Sequence, residues 1–188
     1  MTKIELLQAL SEKVCQCTKC NGLLDSRIQT VFGEGNPNAK IVLCGEAPGE
    51  KESETGRPFV GRAGELLDKI IKACDWKRED LYILNILKCR PPKNRLPSQE
   101  EAKNCEPYLK MQLKIINPKY IICLGGTAAK YILQTEESIG RLRKQWFSYK
   151  DAHVNADVLA TYHPSYLLRN PAAKVDVWND LQLLIQKL

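Results

Sequence analysis

Two groups of residues in this chain have types and spacings that could do chemistry. The first centres on one of its two histidines. In "LATYHPSYLLRN" (159–170) an apolar, β-branched run ends at Tyr162 and His163 follows. Pro164 and Ser165 then open a turn, with Arg169 four residues beyond. A histidine there is either a satisfied structural residue or an imidazole presented to a crevice, able to donate a hydrogen bond or move a proton near neutral pH. The second group is sulfur. Of eight cysteines, Cys44, Cys74 and Cys123 lie in apolar runs and read as small core residues. Cys15, Cys17, Cys20, Cys89 and Cys105 remain, and in a reducing compartment thiols in such number point to metal or burial rather than to disulfides. Cys17-x-x-Cys20 makes one half of a metal site, with Cys15 as an alternative to Cys17; Cys89 and Cys105 make the other half. The spacing matches neither a zinc ribbon nor a finger, and four thiolates hold either Zn²⁺ or an iron–sulfur cluster. Either would pin the N-terminal segment to "KCRPPKNRLP" and fix Lys88, Arg90, Lys93 and Arg95 on a loop stiffened by Pro91, Pro92 and Pro97. A rigid basic loop suits a phosphate backbone.

The elements that must position these residues alternate in type. Residues 3–14 read as a helix, and "KIVLCG" (40–45) as a buried strand ending at Gly45. Leu66, Leu67, Ile70 and Ile71 give residues 62–74 helical periodicity, and 81–86 form a second strand. Ser98 with Glu101 makes a capping box that opens a helix to about Ile115, and Pro118 closes that region. A third strand spans 120–125 and a helix 127–133. "KQWFSY" and "HVNADVLATYH" read as a hairpin or two strands, and 174–187 as the last helix. Short buried strands alternating with helices predict an α/β protein with a mostly parallel sheet covered on both faces. Ligands of such sheets bind beyond the carboxyl ends of the strands. Those ends carry Gly45-Glu46-Ala47-Pro48-Gly49, Asn85, Gly125-Gly126 and His163, so glycine or a polar group arrives at one rim four times.

Length and composition bound the rest. A chain of 188 residues suits one domain with a substantial core. The net charge of +6 fits either a lysine-rich solvated surface or an anionic partner. No apolar run approaches the roughly 18–20 residues of a membrane span. "MTKIELLQALSEKVCQC" lacks the apolar core and cleavage site of a signal peptide, so the expectation is a cytoplasmic protein with no membrane contact.

Three blocks add a specific likeness. "GEAPGEKESETGRPFVGRAGELLD" (45–68), "NILKCRPPKNRLPSQEEAKNCEPYL" (85–109) and "HPSYLLRNP" (163–171) resemble the family 4 uracil-DNA glycosylases, the iron–sulfur enzymes of bacteria and archaea. "VFGEGNP" (31–37) is similar as well, so the resemblance runs in order through nearly the whole chain. It implies a three-layer α/β/α uracil-DNA glycosylase fold with a four-stranded, mostly parallel central sheet, in one domain over residues 1–188. It implies a [4Fe–4S] cluster on Cys17, Cys20, Cys89 and Cys105. The implied activity, by a monomer, is excision of uracil from uracil-containing DNA after base flipping, releasing free uracil and opening base-excision repair.

The resemblance also implies roles. Phe59, between Gly56 and Gly61, becomes a stacking face for the flipped base rather than a core phenylalanine. The Asn85 amide pairs with uracil N3–H and O4 and rejects cytosine, which presents the opposite pattern. Backbone N–H groups around Gly45 and the side chain of His163 meet O2, where charge gathers as the N-glycosidic bond breaks. Ala47 stands where distantly related family 1 enzymes carry a catalytic aspartate and cannot act as a base. Glu46 is left to orient water or balance the sugar's positive charge. Glu52 either crowds the C5 position against thymine's methyl or is an exposed loop acid. Ser165, Arg169, Lys93 and Arg95 suit DNA phosphates. Tyr166, Leu167 and Leu168 either wedge into the vacated stack or pack on the core as a short amphipathic helix. Arg141, Arg143 and Lys144 form another basic cluster suited to a DNA rim. No lysine stands out as a Schiff-base nucleophile, so a monofunctional glycosylase is expected. The competing reading is a non-catalytic DNA-binding module of the same fold, holding iron–sulfur or zinc.

Overall fold

The structure is a computed structural model that describes all 188 residues. The chain runs through α1 (Lys3–Cys15), α2 (Asn21–Leu24), β1 (Glu34–Gly35), β2 (Ile41–Gly45), α3 (Glu50–Thr55), α4 (Arg62–Ala73), β3 (Tyr82–Asn85) and α5 (Gln99–Ile116). It continues through β4 (Tyr120–Leu124), α6 (Gly126–Leu133), α7 (Ile139–Leu142), β5 (Trp146–Lys150), β6 (Asn155–Thr161), α8 (Pro164–Arg169) and α9 (Lys174–Ile185). Local chemistry sets the main boundaries. Thr2 with Glu5, and Ser98 with Glu101, exchange side-chain and backbone hydrogen bonds at the starts of α1 and α5. Helix α5 ends at Asn117, whose left-handed φ of 51° turns the chain just before Pro118.

The strands form one sheet in the order β1-β3-β2-β4-β6-β5. β3, β2, β4 and β6 pair in parallel, while β1 and β5 join the two edges antiparallel. The expected four-stranded sheet is therefore corrected to a mixed sheet of six. β1 escapes a sequence reading because it is two residues long and has no apolar run. Gly33 and Gly35, at φ 127° and 134°, let it lie against β3, where a Cβ on Gly35 would strike the Leu81 and Tyr82 backbone. The β5–β6 pair is a hairpin closed by Asp151, whose Oδ1 accepts the His153 and Val154 N–H groups at 2.7 and 2.8 Å.

β2, β3 and β4 are buried at every position because helices cover both faces of the sheet. The two-residue period of a strand sends Val42, Cys44, Leu84 and Cys123 into one cluster with Leu10 of α1, Leu113 of α5 and Ala128 of α6. Leu43, Ile83, Ile122 and Leu159 go to the other, with Leu67 and Ile71 of α4, Leu167 of α8 and Leu181 of α9. Each fully buried Leu or Ile contributes roughly 1.5–3 kcal/mol. Cys44, Cys74 and Cys123 are buried within this packing, and desolvation pushes the thiols of Cys44 and Cys74 up to about 12 and about 11, so both stay protonated.

Candidate active site

Parallel register brings the four strand ends to one edge: Gly45 lies opposite Asn85, and Leu124 opposite Thr161, two residues before His163. Beyond that edge lies a solvent-open cleft of about 520 Å³. Glu46, Glu52, Phe59, Asn85, Gly125 and His163 line it, together with Arg95, Leu96, Ser165, Tyr166 and Arg169. Gly45 matters by what it lacks: a Cβ there would collide with Asn85 Oδ1 and the Phe59 ring.

Asn85 is 2 % exposed, and its Oδ1 has no hydrogen-bond partner in the chain. An orphaned buried acceptor costs about 1–3 kcal/mol, which a ligand donor would recover.

Phe59 is buried and holds φ at 52°, a left-handed conformation that costs a non-glycine residue on the order of 1–3 kcal/mol. Its surroundings enforce it. The Glu52 carboxylate accepts the N–H groups of Val60 and Gly61, both at 2.8 Å, and that of Gly49 at 3.1 Å. Arg78 Nη2 donates to Pro58 O at 2.6 Å, and Gly64 has no side chain to strike the Phe59 backbone. The ring ends 5.5 Å from that of His163, tilted by 32°. Glu52 is thus neither an exposed loop acid nor a free carboxylate; it is 7 % exposed and ties the Gly45–Gly49 turn to the Phe59 loop.

His163 caps α8. Its Nδ1 accepts the Ser165 N–H at 3.1 Å and lies 2.8 Å from Ser165 Oγ, which assigns the proton of the neutral ring to Nε2. Burial, helped by the charge of Arg169 and opposed by Glu52, pushes the imidazole down to about 4. At neutral pH it is an uncharged N–H donor. Gly125, at φ 94°, leaves room for it, since a Cβ there would lie 2.9 Å from that of His163. Half-buried Glu46 is raised above the usual carboxylate range by desolvation, with Thr127 working in the opposite sense.

Several expected contacts fall elsewhere. Leu167 is 1 % exposed inside the core and cannot wedge into DNA, while Leu168 is 40 % exposed; the helical turn of about 100° per residue separates them. Arg143 is buried, its Nε 2.7 Å from Asp180 Oδ2, to which Thr161 also donates at 2.6 Å. It is a brace between β6 and α9 rather than part of a DNA rim. Lys88 is not on the basic surface either: it is 1 % exposed, with Nζ 2.8 Å from the Asn85 carbonyl and burial pushing it down to about 8. Lys93 is exposed at φ 53°. Arg95 forms a bidentate pair with Glu101 at 2.9 and 2.6 Å, which holds that loop on α5. Ser165 faces His163, and Arg169 is exposed at the cleft.

A second pocket lies between α1, α2 and α5. Cys17, Cys20, Cys89 and Cys105 all line it, whereas Cys15 is exposed and its Sγ lies 3.3 Å from Thr30 Oγ1. No three of these groups lie close enough to hold a single metal ion. Arg27 Nη1 donates to Cys89 at 3.1 Å and Asn104 Nδ2 to Cys20 at 3.7 Å, and Tyr108 also lines the pocket. Donors of this kind orient cysteine sulfurs, and the four cysteines around one pocket could together hold a sulfur-ligated group. Sequence reasoning missed Arg27, Asn104 and Tyr108. Only the neighbour relation of Asn104 to Cys105 offered a signal.

Comparison with known proteins agrees with this geometry. The profile of the uracil DNA glycosylase superfamily matches residues 32–182. The chain is 46 % identical over 173 residues to the type-4 uracil-DNA glycosylase of Thermotoga maritima, covering 90 % of this chain and 86 % of that one. It is 39 % identical over 181 residues to the type-4 uracil-DNA glycosylase of Pyrobaculum aerophilum, with 94 % and 92 % covered. The type-5 uracil-DNA glycosylase of the same organism matches at 32 % over 148 residues, 71 % of this chain and 64 % of that one. A strand-end cleft with an unpaired asparagine, and these identities along nearly the full length, place the chain in the uracil-DNA glycosylase superfamily, among the type-4 enzymes.

Proposed function

We propose that this protein is a monofunctional uracil-DNA glycosylase that hydrolyses the N-glycosidic bond of deoxyuridine in DNA after base flipping, releasing uracil and initiating base-excision repair. The observation that carries the reading is the buried, unpartnered Oδ1 of Asn85, in a cleft shared with Phe59 and a neutral His163. Uracil supplies what is missing: its N3–H satisfies Oδ1 while the amide N–H₂ donates to O4. Cytosine would oppose acceptor to acceptor and donor to donor. Phe59 stacks the base. His163 Nε2–H donates to O2 as charge develops, and losing such a donor typically costs about 10²–10³ in rate. Glu46 orients water or balances the sugar's charge, and backbone N–H groups after Gly45 assist at O2. Arg169, Lys93 and Arg95 meet phosphates, Ser165 orients His163, and Leu168 rather than Leu167 reaches the stack.

The fold in this reading is the three-layer α/β/α uracil-glycosylase fold. It acts as one domain over residues 1–188, as a cytoplasmic monomer. Cys17, Cys20, Cys89 and Cys105 hold a [4Fe–4S] cluster, which when bound supplies a rigid, negatively charged cross-link between the N-terminal segment and the 89–98 loop. A module that only bound DNA gives no reason to bury an unpaired amide opposite an aromatic face.

The test is incubation with a uracil-containing oligonucleotide followed by alkali. Strand cleavage is expected only after alkali, with cleavage lost in Asn85→Ala and His163→Ala while DNA binding is kept. Wild-type protein that binds DNA and releases no uracil would sink the reading. Brown protein holding iron is expected, and a colourless one with stoichiometric zinc would contradict the cluster.

A further inference from the structure

None of the groups assigned to the reaction comes from "VFGEGNP" (31–37), yet Glu34 at its centre joins a series of contacts that ends at Phe59. Two peptide planes flank Phe59, and their rotation about its Cα defines its left-handed backbone. Glu52 holds the following plane through the Val60 N–H. Arg78, from the short turn before β3, holds the preceding one: its Nη2 donates to the Pro58 carbonyl at 2.6 Å. The same guanidinium is fixed on two more sides. Glu34 Oε1 accepts Nε at 3.2 Å and Nη2 at 3.1 Å, and Asp68 Oδ1 of α4 accepts Nη1 at 2.6 Å. Glu34 also receives Arg57, the residue before Pro58, at 2.8 and 3.1 Å. Desolvation works to raise the Glu34 carboxyl, but the two arginines outweigh it and hold it below the usual carboxylate range, so it is charged at neutral pH. The Arg78 and Glu34 side chains are 21 % and 26 % exposed, which sets the pair apart from solvated bridges that contribute little.

We propose that Arg78, anchored by Glu34 and Asp68, is a positioning residue that locks the peptide plane before Phe59 and so presets the stance of the ring against the flipped base. The inference rests on the uracil-excision reading given above, in which Phe59 stacks the base. A ring already fixed loses no further freedom when uracil arrives, so binding energy is not spent on ordering the loop. Without the guanidinium, no polar group holds the Pro58–Phe59 plane, because that carbonyl has no other hydrogen bond in the chain. Phe59 then relaxes from φ 52° toward the negative φ that a residue with a side chain prefers, and the ring leaves its place 5.5 Å from that of His163. Glu34 acts one step further back, through Arg78, which gives the two-residue strand β1 a role beyond closing the sheet edge.

The test is Arg78→Met, alone and combined with Phe59→Ala. Both kcat and KM are measured on a single-stranded uracil-containing oligonucleotide, together with the inhibition constant of free uracil, which reports on the base pocket without DNA. Arg78→Met is expected to raise that constant about tenfold and to lower kcat similarly, with KM within about threefold. In the Phe59→Ala background the same substitution should change the constant by less than about twofold, since no ring is left to place. Partial unfolding would lower the active fraction, and so apparent kcat, but not the affinity for uracil of the molecules still folded. An inhibition constant unchanged in Arg78→Met, or raised equally in both backgrounds, overturns the proposal whatever happens to kcat. If Arg78→Met is insoluble, Glu34→Gln, which removes one anchoring charge and leaves Asp68, must raise the constant about threefold or more with Phe59 present and not with it absent. Wild-type protein that releases no uracil, or Phe59→Ala with uracil affinity unchanged, would instead remove the stacking reading and this proposal with it.

Discussion

Glu52 offers the sharpest quantitative test of how the cleft is built. Its carboxylate accepts three backbone N–H groups from two separate loops. Hydrogen bonds to a charged group contribute about 1.5–3 kcal/mol each, but the freed amides of a cleft-lining loop can rebind water, so about 1 kcal/mol apiece is the working figure. Glu52→Ala should therefore destabilise the protein by about 3 kcal/mol, which in a chain of this size lowers Tm by roughly 6–12 °C. Glu52→Gln keeps a carbonyl oxygen for Val60 and Gly61 but turns an N–H₂ toward Gly49, and should cost about 1–2 kcal/mol. With its clamp gone, Phe59 can leave its left-handed conformation, so kcat/KM on uracil should fall with the loss of stability. Calorimetry and steady-state kinetics on both variants decide it. Glu52→Ala with Tm within about 2 °C of wild type and a newly acquired thymine release would show that the carboxylate only crowds the C5 position, and would refute the clamp.

Other perturbations separate further parts of the argument. His163 has a folded pKa of about 4, below its ordinary 6.5, so the native state binds fewer protons than the unfolded chain between those values. Its contribution to stability is full above about pH 6.5 and is lost as pH falls toward about 4; a kcat that titrates near pH 6.5 and loses that step in His163→Gln would contradict the neutral imidazole. Asp180→Ala leaves buried Arg143 with only the partly exposed Asp176, at 3.1 Å, and frees the Thr161 hydroxyl, so it should cost about 2–3 kcal/mol by urea unfolding, and a loss below about 1 kcal/mol would refute the brace. Cys17→Ser should lose iron while Cys15→Ser keeps it, as read from iron content and visible absorbance; equal loss would reopen the choice between them. Leu167→Ala should destabilise by about 2–5 kcal/mol, whereas Leu168→Ala should leave Tm unchanged and slow excision from duplex more than from single-stranded DNA.

The chain's local patterns were enough to place the main elements. Period-two and period-3.6 apolar repeats, the Ser98–Glu101 cap and the Asn117-Pro118 stop depend only on near neighbours. Because parallel strands point their carboxyl ends the same way, the rim of Gly45, Asn85 and His163 followed from those elements. The β5–β6 hairpin also followed from its two apolar runs, but β1 did not, since a two-residue edge strand answers to its partner more than to its own composition. Tertiary structure alone decided which charges are buried. Lys88 sits in a basic run that reads as surface, and Arg143 in another, yet each is enclosed by segments distant in sequence. The same holds for which of Cys15 and Cys17 lines the sulfur pocket, for Leu167 against Leu168, and for the Nε2 proton of His163. Direction around a helix end, and the identity of the atom across a gap, are set by packing between remote parts of the chain, which spacing along it does not encode.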